Sequence, residues 1–212
     1  QNPPPLPHSQ ITTCANCHAS AYTRTGPTTG TVDMSLHVNG SIAVSNLTFR
    51  LGSYSNLAIG DLDGDGIPEI VGVLFGGGLV AFNRDGSVKW VNNDPSLLVG
   101  WTFGGPSIAD LDGDGKAEVI YGKTVVNHNG TTRWVGSGGF VGSNHALPGL
   151  DKFSAVADIN LDGNPHVIAG ASAFDRNGAL VWQNNTVGNG LVALANFNSD
   201  PYPEIVVVSA GR

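Results

Sequence analysis

The sequence predicts an all-β protein of about four small antiparallel sheets stacked on one another, preceded by an irregular N-terminal segment. Glycine supplies 30 of the 212 residues and charged residues only 13%, which is typical of turn-rich β proteins. A strand–acidic loop–strand pattern recurs along the chain, and a hairpin signal followed by tryptophan recurs behind it. A sheet of a few short strands cannot bury its own faces, so these units have to stack.

The N-terminal segment, residues 1–45, is rich in Pro, Ser, Thr and Gly, and we place the repeat region at residues 46–212. The most specific motif of the N-terminal segment is CANCH, in which Cys14, Cys17 and His18 match the C-x-x-C-H attachment site of covalent haem c. The alternatives are a local Cys14–Cys17 disulfide in an oxidising compartment, or a zinc site that recruits further ligands. Candidates for the second axial iron ligand are His8, Met34 and His37.

Four acidic or Asn-rich loops, each between two short apolar runs, mark the repeats. They recur every 38 to 49 residues, a spacing that suits a repeat of one small sheet. The first loop positions are Asp61, Asp110, Asp158 and Asn196.

A hairpin signal follows the first three loops and precedes a strand that carries tryptophan. The turn glycines are Gly86, Gly130 and Gly178, each after Asp or Asn. The tryptophans are Trp90, Trp134 and Trp182. Because they occupy one equivalent position per unit, we expect all three rings to be mostly buried against a neighbouring unit.

Taken together, these motifs resemble the FG-GAP (VCBS, integrin-α-like) repeat family over roughly residues 50–212. The resemblance implies that each unit is a blade of a β-propeller and that the acidic loop between two strands binds calcium. Four units, the last cut short at EIVVVSAGR, do not make the seven-bladed ring usual for that family. We expect a fragment of a longer protein, a ring completed by other copies or chains, or an open array with exposed edges.

Calcium chemistry explains the first two loops without the family name. Ca²⁺ takes six to eight hard oxygen ligands, and a glutamate at loop position 9 followed by β-type residues excludes an EF-hand. The alternative is a solvated acidic turn without metal. The predicted ligands of the first loop are Asp61, Asp63, Asp65, the Ile67 carbonyl and Glu69. Those of the second are Asp110, Asp112, Asp114, the Lys116 carbonyl and Glu118.

The last two loops depart from this pattern, since fewer carboxylates mean weaker calcium binding. The third loop has His166 where glutamate is expected, and its candidate ligands are Asp158, Asn160, Asp162 and Asn164. The fourth loop offers Asn196, Asn198, Asp200 and Glu204, or is held by Asn hydrogen bonds instead of metal.

Composition and missing motifs exclude several classes of function. The net charge of −7 argues against a nucleic-acid partner, and no apolar run reaches the ~18 residues of a membrane helix. No hydrolase motif is present, so we do not expect an enzyme. We expect a secreted, cell-surface or periplasmic calcium-binding module that takes a protein or glycan ligand in adhesion or assembly. The alternatives are an electron-transfer protein carrying haem c, and a polysaccharide lyase-like propeller.

Overall fold

The computed structural model describes residues 51–52, 54–97, 103–142 and 151–209. The CANCH motif with Cys14, Cys17 and His18, the candidate axial ligands His8, Met34 and His37, and the boundary at residue 45 all lie outside these residues. Haem attachment and that boundary therefore stay predictions.

Every strand of the described chain is short, as the density of turn residues predicts. The first unit follows a two-residue strand, and a 3-10 helix at Pro95–Leu97 separates it from the second. In chain order the strands up to this helix are β1 (Tyr54–Ser55), β2 (Ala58–Gly60), β3 (Glu69–Val73), β4 (Leu79–Phe82) and β5 (Val88–Asn92).

The same order repeats after the 3-10 helix. The next strands are β6 (Phe103–Gly104), β7 (Ser107–Ala109), β8 (Glu118–Tyr121), β9 (Thr124–Val126) and β10 (Thr132–Val135). They are followed by β11 (Asp151–Lys152), β12 (Ala155–Ala157), β13 (His166–Ile168), β14 (Ser172–Phe174) and β15 (Leu180–Gln183). The chain then forms β16 (Leu191–Ala195) and β17 (Glu204–Val208).

Four antiparallel sheets result, which we call blades 1 to 4. Blade 1 is β2–β5, blade 2 is β7–β10 and blade 3 is β12–β15, each with its strands paired in sequence order. Blade 4 has β16 paired with β17. The all-β fold with blade-like antiparallel units is confirmed, and among the described residues no helix is long and apolar enough to cross a membrane.

A hairpin with a glycine-dependent turn joins the last two strands of blades 1 to 3, as predicted. In blade 2 the Asn127 N–H donates to the Thr131 carbonyl (2.8 Å) and the Gly130 N–H donates to the Asn127 carbonyl (2.8 Å). Gly130 has a φ of 86°, the left-handed conformation that glycine adopts without penalty. The pairing register shifts next to each of these turns, so each hairpin carries a bulge.

The hydrophobic core lies between blades, because side chains alternate along each strand. In β8, Val119 and Tyr121 belong to the cluster shared with blade 1, whereas Ile120 belongs to the cluster shared with blade 3. All three are fully buried. The two-sided burial of this central strand confirms that the units must stack to form a core.

The first two tryptophans reach toward the next blade, and the three rings differ in how far they are buried. Trp90 is buried, and its Nε1–H donates to the His128 carbonyl of blade 2 (2.9 Å). Trp134 is partly buried and donates in the same way to the Arg176 carbonyl of blade 3 (2.9 Å). Trp182 is 39% exposed, so the expectation of burial is wrong there. The described part of blade 4 ends at its second strand and has no hairpin to cover that ring.

Before each of blades 1 to 3, a short strand joins a parallel sheet in the order β1-β6-β11. Ser55 pairs with Gly104, and Gly104 pairs with Lys152. Lys152 is buried, donates to the Ser96 carbonyl, and lies with Nζ 5.4 Å from the centre of the Tyr121 ring.

Candidate metal centre

Acidic loop 1, residues 61–68, connects β2 to β3 and is wrapped around its first carboxylate. Asp61 Oδ1 accepts the N–H groups of Gly64 (2.8 Å) and Asp65 (3.2 Å), and Oδ2 accepts that of Gly66 (2.7 Å). Gly64 and Gly66 have positive φ angles, which allow this tight turn. The alternation of Asp and Gly thus folds the loop around Asp61.

Glu69 closes loop 1 from the first position of β3. Its side chain is 3% exposed, and Oε2 accepts the Leu62 N–H (2.9 Å). One carboxylate oxygen each from Asp61, Asp63 and Glu69 can be chosen so that all lie within 4.8 Å of one another. Hard oxygens gathered in this way could hold a metal ion such as calcium.

Acidic loop 2, residues 110–117, repeats this construction between β7 and β8. Asp110 accepts the N–H groups of Gly113 (2.7 Å) and Gly115 (2.9 Å), and Glu118 Oε2 accepts that of Leu111 (2.9 Å). Its second acidic group is Asp110, Asp112 and Glu118, again within 4.8 Å.

The two acidic loops are neighbours. The Ala117 N–H of loop 2 donates to the Leu62 carbonyl of loop 1 (3.0 Å). A Cβ on Gly64 would lie 2.6 Å from the Gly115 carbonyl oxygen, so the backbones are in close contact there. Two groups of negative charge are therefore held side by side at this edge of blades 1 and 2.

In blades 1 and 2 a basic side chain from the fourth strand enters the acidic group. Lys89 Nζ lies 2.5 Å from Asp63 Oδ2 and 3.2 Å from Glu69 Oε1. Arg133 makes the same pair of contacts in blade 2, through Nη2 to Asp112 (2.7 Å) and Nη1 to Glu118 (3.1 Å). The repeat pattern did not predict a role for these two residues. Their only signal is a basic residue directly before the tryptophan in the first two repeats.

Ion pairing and burial shift several pKa values in these groups. A hydrogen bond from Lys89 holds the pKa of Asp63 below its ordinary value, and Arg133 does the same for Asp112. Burial lowers the pKa of Lys89, but its hydrogen bonds to the two carboxylates outweigh burial, so the net shift is upward. Because the pKa of Asp63 is lowered and that of Lys89 is raised, both groups are charged at neutral pH. In blade 2, burial raises the pKa of Glu118.

Among the described residues, loop 3 (158–165) does not assemble a comparable acidic group. Asp158 Oδ2 accepts the Gly163 N–H (2.8 Å), so the turn around the first aspartate is kept. Asp162, however, accepts hydrogen bonds from Asn164 and Asn160, and the side chain of His166 is buried on β13. The position before Trp182 is Val181, so blade 3 lacks the basic residue that blades 1 and 2 have there.

Loop 4 (196–203) is held by amide hydrogen bonds. Asn198 Nδ2 donates to Glu204 Oε1, and Glu204 Oε2 accepts the Phe197 N–H (2.7 Å). Asn196 Nδ2 donates to the Asp200 carbonyl. This is the arrangement that the sequence offered as the alternative to metal binding.

The structure brings together three of the five ligand positions predicted for each of loops 1 and 2. Positions 1, 3 and 9 meet, whereas Asp65 and Asp114, at position 5, accept backbone N–H groups of their own loops and lie outside the acidic groups. The Ile67 and Lys116 carbonyls stay predicted ligands, as do the candidates of loops 3 and 4.

Comparison with known proteins bears on the same two loops. Residues 61–121 match the family model described as FG-GAP-like repeat, a stretch that runs from acidic loop 1 to the end of β8. A comparison with curated proteins gives no match.

Solved structures of similar fold include the V. cholerae biofilm matrix protein Bap1, at 26% identity and a TM-score of 0.54, covering 71% of this chain and 23% of that one. The Bacillus licheniformis rhamnogalacturonan lyase PL11 is 20% identical with a TM-score of 0.52, covering 72% of this chain and 28% of that one. The exotype rhamnogalacturonan lyase YesX is 24% identical with a TM-score of 0.50, covering 73% and 28%.

At these identities the two lyases are similar in fold alone. The chain spans 23% to 28% of the length of the three proteins. The match over residues 61–121 supports an FG-GAP-like repeat in that stretch, and similar antiparallel blades lie on either side of it.

Proposed function

We propose that this chain is a calcium-binding, non-catalytic binding module of a secreted or cell-surface protein. The observation that carries the proposal is the acidic group of Asp61, Asp63 and Glu69, duplicated in blade 2 as Asp110, Asp112 and Glu118. Two equal groups at equivalent repeat positions are hard to explain as chance surface charge.

The donor set fits calcium, and one atom of loop 1 lacks a partner. Asp63 Oδ1 is buried and accepts no hydrogen bond from the described residues. A buried carboxylate oxygen without a partner costs free energy, which a coordinated cation would recover. Carboxylate oxygens, loop carbonyls and water are the ligands that calcium prefers. Bound there, the ion would supply charge neutralisation and would tie the end of β2 to the start of β3.

Calcium titration of the full chain tests this metal site. A ligand that binds only the folded state at ~100 times its Kd adds about 2.7 kcal/mol per site, so we expect EGTA to lower the Tm by several degrees. Asp63→Asn and Asp112→Asn should each weaken calcium binding. Asp85→Asn, which removes an exposed carboxylate from a hairpin turn of blade 1, should not. Absence of heat on titration together with an unchanged Tm in EGTA would refute the proposal.

The binding role is supported by the similarity to a biofilm matrix protein and by the stacked blades, which present loops on a rigid scaffold. Its ligand class would be a protein or a glycan. The test is retention of the full chain on immobilised acidic polysaccharides, including rhamnogalacturonan, in calcium and in EGTA. Ultraviolet absorbance of an unsaturated sugar product would instead favour the lyase alternative, and we expect none.

A further inference from the structure

Lys89 and Arg133 occupy equivalent positions, and each is inserted between the same two carboxylates of its blade. Each directly precedes the blade's tryptophan, and each contacts the carboxylates at loop positions 3 and 9. Their side chains are only 19% and 22% exposed. These side chains are therefore not freely mobile surface cations. The same contact recurs in both blades, which indicates that it is a regular feature of the repeat.

The third blade lacks both halves of this arrangement. Val181 stands where blades 1 and 2 have the basic residue, and His166 stands where they have the glutamate. Among the three blades that have a fourth strand, the basic residue thus occurs with the glutamate and is absent where the glutamate is absent. That coincidence connects Lys89 and Arg133 to the charge of the acidic group rather than to the packing of the strand.

A bound calcium ion would use some of the carboxylate oxygens that Lys89 and Arg133 contact. Calcium lies 2.3–2.6 Å from its ligand oxygens, whereas Lys89 Nζ already lies 2.5 Å from Asp63 Oδ2 and 3.2 Å from Glu69 Oε1. An ion bound to those two carboxylates would stand close to the ammonium group, in a site of reduced dielectric, and the two cations would repel each other strongly.

We propose that Lys89 and Arg133 are tethered counter-cations that compete with calcium for loops 1 and 2, and so set the calcium affinity of each blade. This inference rests on the proposed calcium function and adds the residues that tune it. Without calcium, the basic side chain bridges the two carboxylates and keeps the loop folded. With calcium, the side chain leaves the carboxylates and turns toward solvent.

The two blades should differ in how strongly the tethered cation competes. Arg133 uses two guanidinium nitrogens, one for each carboxylate, in a planar fork that suits paired acceptors. Lys89 serves both carboxylates with a single nitrogen. The Arg133 side chain should consequently leave the carboxylates of loop 2 less readily than Lys89 leaves those of loop 1. Loop 2 should therefore bind calcium more weakly than loop 1.

Calorimetric titration of the full chain with calcium, in the Lys89→Met and Arg133→Met variants, tests the inference. Each variant should bind calcium about tenfold more tightly at its own loop, within the usual range of coupling between linked equilibria, and should melt at a lower temperature in EGTA. Arg84→Met, which removes an exposed positive charge from the hairpin of blade 1, should change neither value. Lys89→Arg should retain the competition.

The outcomes separate this inference from the calcium proposal. Calcium binding by the unaltered chain with the same Kd in Lys89→Met and Arg133→Met would overturn the competition and leave the calcium function standing. Binding by the variants alone would support it. A lack of binding in all proteins would refute the calcium function and the competition with it.

A second measurement needs no variant and so does not depend on how well the variants fold. Calcium should free the Lys89 amine and increase its acylation by an amine-reactive reagent, measured by mass spectrometry of the full chain. Lys123, which donates to the Gly138 carbonyl away from the acidic groups, serves as the internal control. Unchanged or reduced labelling of Lys89 in saturating calcium would contradict release of the tethered cation.

Discussion

Truncation of the repeat tryptophans should destabilise the protein in proportion to how well the next blade covers each ring. Trp90 is buried and donates to the His128 carbonyl of blade 2. Large-to-small core substitutions of this kind cost ~3–5 kcal/mol, because both buried surface and packing are lost. We therefore expect Trp90→Ala to reduce the free energy of unfolding by about 4 kcal/mol.

Trp182→Ala is the matched control for this experiment. The chemical change is identical and the repeat position is equivalent, but this ring is 39% exposed and no described residue accepts a hydrogen bond from it. Its loss should cost about 1 kcal/mol, the usual effect of a partly exposed substitution. Trp134, which is partly buried and bonded to the Arg176 carbonyl, should give an intermediate value.

Urea unfolding followed by far-ultraviolet circular dichroism measures these differences without depending on tryptophan fluorescence. Midpoints are compared at equal slope, so that a change in the slope is not mistaken for a change in stability. Equal losses for Trp90→Ala and Trp182→Ala would refute the argument, because they would mean that contact with the next blade contributes nothing to the role of the ring.

Three further predictions concern other parts of the chain. Gly178→Ala should lower the free energy of unfolding more than Gly163→Ala, as measured by urea unfolding. Both glycines have a φ near 85°, but a Cβ at Gly178 would lie 2.7 Å from the Trp134 ring, whereas a Cβ at Gly163 would meet open space. Burial lowers the pKa of Lys152 from 10.5 to about 8. Between these values the unfolded chain binds the proton that the folded chain has lost, so stability should rise by about 3 kcal/mol from pH 8 to 10.5 and the rise should vanish in Lys152→Met. Intact mass and visible absorbance of the full chain test haem at Cys14 and Cys17: thioether attachment adds the mass of haem and a Soret band, and a disulfide removes two hydrogens.

Blade-to-blade contact also explains why the core clusters of the described residues each span two blades. Val119 and Ile120 are adjacent in sequence but face opposite neighbours. Loss of one blade would therefore expose one face of the next. We expect unfolding to spread from blade 4, the least buried of the described blades, where Val208 is 59% exposed, toward the buried strands β8 and β9 of blade 2.

Sequence alone determined the features that depend on short-range geometry. The hairpin turns could be predicted because only glycine readily takes the left-handed position after Asp or Asn. Loops 1 and 2 could be recognised because Asp alternates with Gly and a glutamate follows at a constant distance, and the structure brings Asp61 and Glu69 together as that spacing implies. The strands themselves follow from runs of β-branched residues between turn signals.

Tertiary structure decided everything that requires one element to reach another. Lys89 lies 20 residues from Glu69 and 26 from Asp63 along the chain, and only the pairing of four strands brings its ammonium group to both. The exposure of Trp182 depends on what covers it and not on its own repeat, which is why three equivalent tryptophans have three different environments. Local patterns determine the backbone of each blade, but burial and ion pairing depend on neighbours that the pattern within one repeat does not specify.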